Sequence, residues 1–468
     1  MKCLIFGTGD YYERYKKWLE NEEIVALIDN SCEKQGMYLD GHIVISPDQV
    51  CKYEYDNILI LSFYYNDMRE QLLQYGVDPQ KIYHFYSIRQ IVDWKKNKKD
   101  LIGYGDYKRI LDMQTIGRKV LLLSPELNNG GPAIALFHVA LILKKKGMNI
   151  LVASMIDGEL REKYLNSNIS VVIDNNLQMS VMKEEEWTSK FDLIICNTLN
   201  FHVFLSERNI EIPCIWWLHE ADFFYAGVNK DNLDKISLQN LKVVAVGEIP
   251  KNALEKYRPD ILISDLLYYV RDVTYGKQSF EGDDIFRIAL IGYLEEIKGQ
   301  DILLKALQLM PTMYKKNIYV YIVGKKETLY GKTLMTKYKD VSNVLFTGEL
   351  DRSDIHRLLD KIDILVCPSR QDSMPTVVAE AMMHSKASII SDAVGMKKYI
   401  RDKFNGLIFQ SESVEGLIDK IEYCMENCRE LITMGKNARK IYETQFSVEA
   451  FENQLMNLIE ALLRKNND

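Results

Sequence analysis

The sequence predicts an α/β protein built from three successive Rossmann-like units. Short runs of Val, Ile and Leu recur along the 468 residues and alternate with stretches of helical spacing. Glycine or polar residues follow many of these runs, as in "KCLIFGTGD" at the start of the chain and "YIVGKK" at 321–326. Continuous apolar runs of this length are typical of buried parallel strands. We therefore expect parallel sheets covered by helices.

Composition excludes several classes of protein. A hydrophobic content of 47% and a charged content of 27% are ordinary for a soluble globular chain, and a net charge of −7 argues against a general nucleic-acid binder. The first ten residues reach glycine and aspartate too early for a signal peptide, and no apolar run approaches the roughly 18 residues that span a bilayer. The eight cysteines include no CxxC pair. We expect a cytoplasmic protein with reduced cysteines and neither disulfides nor a zinc site.

The first unit, residues 1–95, is predicted to be a small Rossmann-like module. A strand, a glycine turn, a helix and a second strand ending at Asp29 open it, and further strands are expected at 57–63 and 81–84. Its GxG pattern lacks the third small residue of the dinucleotide fingerprint because Tyr12 occupies that place. Asp29 does have the spacing of a ribose-binding acid. Two interpretations stay open: a nucleotide site, or a module that docks a partner or mediates oligomerisation.

Residues 96–118 are predicted to form a partly helical linker. Residues 91–119 contain eight basic and four acidic side chains. Such a strip beside Trp94 is compatible with peripheral contact to an anionic membrane at its inner face or with an acidic acceptor. A solvated connector accounts for the same residues.

The second unit, residues 119–278, begins with the strand "VLLLS" at 120–124. The pair Gly130 and Gly131 then precedes a helix that ends in lysines and a glycine, as helix termini commonly do. The run "CIWWLHE" places His219 at the carboxyl end of a strand. Ligands of open α/β sheets bind at that edge, so we interpret His219 as functional rather than structural.

The third unit, residues 279–445, contains the most informative stretch, "PSRQDSMPTVVAEAM" at 368–382. A buried strand ends before it, and Pro375 suits the first turn of the helix that follows. Asp372 is expected in the loop and Glu380 inside the helix, with the free amides of the helix start between them. Backbone amides that can bind an anion, flanked by carboxylates that can bind hydroxyl groups, indicate a site for a sugar nucleotide. An N-capped helix with one exposed glutamate would show the same pattern.

Several motifs together resemble one enzyme family. They are "NNGG", "IWWLHE", "IGYLEEIKGQDILLKAL", "YIVGK", "NVLFTGELDRSDIHRLLDKIDILVCPSRQDSMPTVVAEAM" and "DAVGMKKYIRDKFNGLIF". Residues 120–465 resemble retaining glycosyltransferases of family 4, and the resemblance implies the GT-B fold of two facing Rossmann-like domains. A last helix within 446–468 is expected to pack back across them. Residues 1–90 resemble, by weaker motifs, the N-terminal module of bacterial sugar acyltransferases.

The resemblance also implies roles for individual residues. Asp372 would hold the donor sugar and Glu380 the ribose, while His219 would face the donor sugar and the acceptor. The diphosphate would be held by a basic and amide-rich set consisting of Gly130, Gly131, Lys298, Gly324, Lys325, Ser373, Met374, Pro375 and Thr376. Tyr293 replaces a basic residue common in the family, and Asp372 is one methylene shorter than the usual glutamate, so the donor's identity stays open.

The expected function is retaining transfer of a sugar from a nucleotide-diphosphate sugar to a glycan, lipid-linked or protein acceptor. The resemblance implies synthesis of bacterial surface glycans or polysaccharides, without a metal or a cofactor. A non-catalytic subunit that supports a partner enzyme, and a sugar-nucleotide epimerase, are the alternatives. Nucleotide release with and without an acceptor distinguishes the three.

Overall fold

The computed structural model describes residues 2–62, 64–84, 101–112, 117–174, 177, 186–228, 230–273, 284–325 and 328–464. The chain divides into two compact units, one of residues 1–243 and 253–262, the other of residues 244–252 and 263–468. The boundaries predicted near 95 and 278 lie outside the described residues. Among the residues described, no helix combines the length and apolarity needed to span a bilayer.

The first sheet forms the core of the N-terminal module and has the order β3-β4-β2-β1-β5-β6. Its strands and the helices beside them are β1 Lys2–Phe6, α1 Asp10–Tyr15, β2 Glu23–Ile28, β3 Tyr38–Leu39, β4 His42–Ile45, β5 Asn57–Ile60, α2 Tyr65–Gln74 and β6 Ile82–His84. Cys3 and Ile5 pack in one buried cluster while Leu4 and Phe6 pack in another. Because successive side chains of a strand point to opposite faces, a strand covered on both faces is apolar throughout. The short antiparallel β3–β4 pair was not predicted.

The second sheet has eight strands in the order β14-β13-β12-β11-β8-β9-β10-β7. The elements here are β7 Ile102–Tyr104, α3 Tyr107–Leu111, β8 Lys119–Glu126, α4 Gly131–Lys145, β9 Asn149–Ile156, α5 Leu160–Asn166, β10 Ser170–Ile173, β11 Leu193–Asn197, α6 His202–Ser206, β12 Cys214–Leu218, α7 Lys230–Asp234, β13 Leu241–Ala245, α8 Glu248–Glu255 and β14 Ile263–Asp265. Strand β7 pairs antiparallel with β10. This part of the predicted linker is therefore an edge strand, and a three-residue strand is too short for periodicity to reveal.

The third sheet has six parallel strands in the order β17-β16-β15-β18-β19-β20. Its elements are β15 Phe286–Ile291, α9 Gln300–Leu309, α10 Thr312–Lys315, β16 Ile318–Val323, α11 Leu329–Lys337, β17 Val344–Gly348, α12 Arg352–Lys361, β18 Ile364–Cys367, α13 Thr376–Met383, β19 Ala387–Ser391, β20 Leu407–Phe409, α14 Val414–Glu426, α15 Cys428–Ile441 and α16 Val448–Arg464. Helix α16 is the predicted C-terminal helix. Its predicted packing across the domains stays a prediction.

Strand order locates the candidate sites. In the third sheet the chain moves outward from β15 on one side through β16 and β17, and on the other side through β18, β19 and β20. The order reverses between β15 and β18, and the crevice at such a switch point is where open α/β sheets bind ligands. The second sheet has its switch point between β8 and β11. The residues that follow these four strands are therefore the first to consider.

Candidate active site

Lys298 and Asp372 meet at the switch point of the third sheet. Lys298 lies in the loop after β15 and Asp372 in the loop after β18, and the distance from Lys298 Nζ to Asp372 Oδ2 is 2.6 Å. Burial alone would lower the pKa of Lys298, but the Asp372 carboxylate outweighs this effect and raises it. The lysine therefore stays a cation at neutral pH.

Two features hold the loop of Lys298 and the loop of Asp372 close to each other. Gly299 has a φ of +70°, and a Cβ at this position would collide with the Pro368 carbonyl oxygen, so only glycine allows the approach. Arg370 donates its backbone N–H to the Ile297 carbonyl at 2.8 Å and binds both carboxylate oxygens of Asp301 at 2.9 and 2.8 Å. This bidentate pair fixes the spacing between Lys298 and Asp372.

Glu380 lies in α13, which begins at Thr376 with Pro375 at its N-cap. Its side chain is buried, with 6% of its surface exposed, and forms an ion pair with the half-exposed Arg352 of α12. A buried carboxylate without a partner is costly, so Arg352 stabilises Glu380. The sequence did not indicate Arg352, because it precedes Glu380 by 28 residues and lies on another helix.

The loop between the two acids packs against a glycine that the sequence analysis missed. Gly395 donates its N–H to the Asp372 carbonyl at 2.9 Å, and a Cβ at 395 would collide with the Ser373 carbonyl. Met374 and Pro375 are buried, whereas Ser373 and Thr376 are half-buried. Contact with Gly395 therefore fixes the backbone of this loop in front of α13.

Gly324 and Lys325 follow β16 in the same sheet. Gly324 has a φ of +149°, and a Cβ there would collide with the Gly292 carbonyl. The neighbouring backbone thus requires a glycine at position 324, independently of any ligand that binds in the crevice. Lys325 is exposed, and its predicted contact with a diphosphate stays a prediction.

Tyr268 is a further polar group of this unit that the sequence analysis missed. It is 5% exposed, and its hydroxyl has no hydrogen-bond partner within the part of the chain that the structure describes. Burial raises the pKa of Tyr268 well above its ordinary value, and the Asp372 and Glu380 carboxylates raise it further. The phenol therefore stays protonated.

His219 follows β12 in the second sheet and belongs to the other unit. The distance from its Nε2 to Asn197 Oδ1 is 2.8 Å, and Asn197 Nδ2 donates to the Pro132 carbonyl at 2.9 Å. Because the amide oxygen accepts, Nε2 carries the proton and Nδ1 is left as an acceptor. Burial lowers the pKa of His219 to about 3, so the imidazole is neutral.

Glu220 is adjacent to His219, and its carboxyl accepts the His219 backbone N–H at 3.0 Å. Burial raises its pKa to about 7, although hydrogen bonds from His219, Leu199 and Thr198 act in the opposite direction. The group is therefore half protonated near neutral pH, as general acids and bases often are. It was not among the predicted site residues.

Gly130 and Gly131 lie at the start of α4, with Gly130 at the N-cap. Among the described residues, a Cβ at 131 would meet nothing within 4 Å, and one at 130 would meet only Glu126 at 3.8 Å. Packing against this part of the chain therefore does not require these glycines. Gly130, His219 and Glu220 line one cavity of about 240 Å³.

Asp29, the candidate ribose-binding acid of the N-terminal module, already accepts hydrogen bonds from other residues of the module. Asp29 Oδ2 accepts the Thr8 backbone N–H at 3.2 Å and the Lys34 ammonium at 3.1 Å, and Oδ1 accepts the Ser31 N–H at 2.9 Å. Gly7 also packs tightly, because a Cβ there would lie 2.6 Å from the Leu61 carbonyl oxygen. These contacts favour the structural interpretation of the module over the nucleotide-binding one.

Within the described residues, no group of three or more His, Cys, Asp or Glu side chains could hold a metal ion. Metal independence stays a prediction.

Three family models match the chain. Residues 116–250 match "Glycosyl-transferase family 4", residues 275–441 match "Glycosyl transferases group 1", and residues 1–83 match "C2185-like, N-terminal". The predicted likeness of the module to sugar acyltransferases stays a prediction.

Two curated relatives are glycosyltransferases by name. An uncharacterized glycosyltransferase of Methanocaldococcus jannaschii is 25% identical over 259 residues, which cover 52% of this chain and 67% of the relative. The N,N'-diacetylbacillosaminyl-diphospho-undecaprenol α-1,3-N-acetylgalactosaminyltransferase of Campylobacter jejuni is 34% identical over 87 residues, 19% of this chain and 23% of that enzyme. The second match thus spans less than a quarter of its relative.

Solved structures establish the fold. HepE of Anabaena, crystallised with UDP and glucose, superposes with a TM-score of 0.62 at 20% identity, covering 74% of this chain and all of HepE. A glycosyltransferase of Rickettsia africae superposes with a TM-score of 0.61 at 18% identity, covering 75% of this chain and 99% of that protein. The α/β class and the GT-B fold predicted from the sequence are confirmed. The chain is therefore a glycosyltransferase with the GT-B fold, and its two matched segments resemble glycosyltransferase family models.

Proposed function

We propose that this glycosyltransferase moves a sugar from a nucleotide-diphosphate sugar to an acceptor hydroxyl with retention at the anomeric carbon. The observation that carries the proposal is the contact of 2.6 Å between Lys298 and Asp372 at the switch point of the third sheet, next to the start of α13. A cation beside free helix amides suits a diphosphate, and carboxylates beside it suit hydroxyl groups.

On the donor side, Lys298 would neutralise the diphosphate, and the backbone N–H groups of Ser373, Met374 and Thr376 would donate to it, since Pro375 has none. Asp372, which now pairs with Lys298, would accept hydrogen bonds from the sugar hydroxyls. Glu380 would accept those of the ribose, with Arg352 balancing its charge. A charge-assisted hydrogen bond of this kind contributes about 1.5–3 kcal/mol. A panel of UDP-, GDP-, dTDP- and ADP-sugars identifies the base, and the UDP and UDP-glucose complexes of HepE make UDP the first to test.

On the acceptor side, His219 and Glu220 would orient the acceptor hydroxyl. During transfer the bond between the anomeric carbon and the phosphate oxygen breaks, and the acceptor oxygen bonds to that carbon on the same face. The departing phosphate oxygen takes the acceptor's proton. The protein then contributes positioning and charge stabilisation, which Lys298 supplies at the leaving group.

The acceptor we propose is a lipid-linked or polymeric glycan of the bacterial cell surface, assembled at the inner face of the membrane. Support comes from the name of the Campylobacter jejuni relative, which describes a diphospho-undecaprenol-linked sugar. The experiment incubates purified protein with the nucleotide-sugar panel, with and without undecaprenyl-diphosphate-linked sugars. Nucleotide release that an acceptor accelerates, with a product of unchanged anomeric configuration by NMR, supports the proposal. No release with any donor overturns it and favours a non-catalytic subunit, and conversion of the donor without an acceptor indicates an epimerase.

A further inference from the structure

One wall of the cavity beside His219 comes from the N-terminal module. Besides Glu126, Gly130 and Glu220, the side chain of Tyr11 lines this cavity. Tyr11 is the second residue of α1 and is partly exposed, and its ring centroid lies 6.1 Å from that of Tyr15. A module at the far end of the sequence from the donor residues thus reaches the candidate acceptor site.

The module is fixed on both sides of this cavity. Val203 in α6 packs against the module's buried cluster, which contains Tyr12 and Tyr15. Its neighbour His202 lines the cavity. Helix α2 of the module packs on residues 222–227, which follow Glu220. These contacts hold Tyr11 in place at the cavity.

The chemistry of the cavity suits a sugar ring. Tyr11 and Phe224 contribute aromatic rings to its lining, and Phe224 is 48% exposed. Aromatic rings are suited to pack against the apolar C–H face of a pyranose. Carboxyl oxygens such as those of Glu126 and Glu220 can accept hydrogen bonds from its hydroxyls, besides those they accept from Asn128 and the His219 N–H. A volume of about 240 Å³ is below the roughly 300–1,000 Å³ of sites for drug-sized ligands, so one sugar ring fits better than a larger ligand.

We propose that the N-terminal module completes the acceptor site and that Tyr11 determines which terminal sugar of the acceptor is bound. This inference rests on the proposed function, because it assigns the cavity to the acceptor. The module then acts by shaping specificity rather than by binding a nucleotide, in agreement with the internal contacts of Asp29.

The test measures binding of p-nitrophenyl glycosides to the full chain by saturation-transfer NMR, so it does not depend on turnover. The panel comprises the glucoside, galactoside, mannoside, N-acetylglucosaminide and N-acetylgalactosaminide. We expect at least one to bind, Tyr11→Ala to weaken it tenfold or more, and Tyr11→Phe to retain it within threefold. Tyr38→Ala is the matched control, because Tyr38 lies in the same module, is 73% exposed and does not line the cavity.

Nucleotide release in the absence of an acceptor distinguishes this inference from the proposed function. The control Tyr38→Ala should leave that rate within twofold of the unchanged protein, and Tyr11→Ala should keep the circular dichroism spectrum of the unchanged protein, which shows that it still folds. Equal glycoside binding by Tyr11→Ala and the unchanged protein overturns the inference, as does the absence of binding by every glycoside to the unchanged protein. Loss of nucleotide release in all proteins alike would count against the proposed function instead.

Discussion

The first and third sheets each have a carboxylate beyond the carboxyl end of a parallel strand, and the two carboxylates are held differently. Asp29 is bound by Thr8, Ser31 and Lys34, all within the module's first 34 residues. Asp372 pairs with Lys298, which lies 74 residues away in the loop after another strand. Ser31 and Lys34 hold Asp29 from its own turn, and Thr8 holds it from the turn after β1, so these contacts stabilise the turns of the module. Asp372 meets a distant cation at a switch point, which makes this pair a candidate site for a ligand.

The two regions also use glycine differently. A Cβ at Gly7 would press on the Leu61 carbonyl directly after β5, whereas one at Gly395 would displace the loop that carries Asp372. The first glycine supports the packing of a sheet, and the second supports a candidate binding loop.

The strongest test of this contrast removes the charged groups of the third sheet. We expect Lys298→Ala and Glu380→Ala each to slow donor-dependent nucleotide release tenfold or more, because each tenfold loss corresponds to about 1.4 kcal/mol of lost transition-state stabilisation. Steady-state kinetics at varied donor concentration measure the effect. Lys420→Ala is the control, since Lys420 pairs with Asp402 in the same unit. Unchanged kinetics in both variants would remove these residues from the site.

A second test displaces the loop that carries Asp372 without removing a charged group. Gly395→Ala should lower stability by about 1–3 kcal/mol, the usual cost of overpacking, and should raise the KM for the donor, because the added Cβ collides with the Ser373 carbonyl. Gly131→Ala should leave the thermal midpoint nearly unchanged, since no described residue lies within 4 Å of its Cβ. A thermal midpoint lowered equally in both variants would contradict the structural difference between the two glycines.

The carboxyl after β12 extends the comparison to the second sheet. The pKa of Glu220 is raised to about 7, so the folded state favours its protonated form and loses stability as pH rises from about 4.5 through 7. The glutamine in Glu220→Gln cannot ionise. The thermal midpoint of this variant, relative to that of the unchanged protein, should therefore rise between pH 5 and pH 8, by the equivalent of about 2 kcal/mol in the free energy of unfolding. The exposed Glu211→Gln is the control. A difference between the two midpoints that does not vary with pH would show that Glu220 titrates normally.

The smallest effect on activity is expected in the module. Burial tends to raise the pKa of Asp29, but hydrogen bonds from Thr8, Ser31 and Lys34 lower it overall. Its stabilisation is therefore present at neutral pH and lost as pH falls through the lowered pKa. Asp29→Ala should cost about 1–3 kcal/mol of stability yet leave nucleotide release within twofold. Asp48→Ala, exposed in the same module, is the control. Abolished activity at a retained fold would show that the module binds a necessary ligand.

Much of the candidate site in the third sheet could be predicted because its signals are local. The apolar run before Pro368 predicts a buried strand, and Pro375 followed by "TVVAEAMM" predicts a helix, as the structure has them. The observed ends of these elements differ from the predicted ends by one or two residues, as is usual when only periodicity defines a strand end.

Other members of the site gave no local signal. Arg352 pairs with Glu380, and Gly395 contacts the loop after Asp372, each from a separate element. Tyr11 reaches its cavity from another module altogether. Without an indication of which loops meet, an arginine in a helix and a tyrosine near a glycine turn are ordinary surface or core residues.

The sequence by itself determined the alternation of strands and helices, the glycine turns and the acids at strand ends, because these depend on side-chain period and on backbone conformation within a few residues. The tertiary structure alone decided which partner each charged group has. Ion pairing and burial depend on distances between loops that only the strand order brings together, so identical-looking acids at residues 29 and 372 are held by entirely different partners.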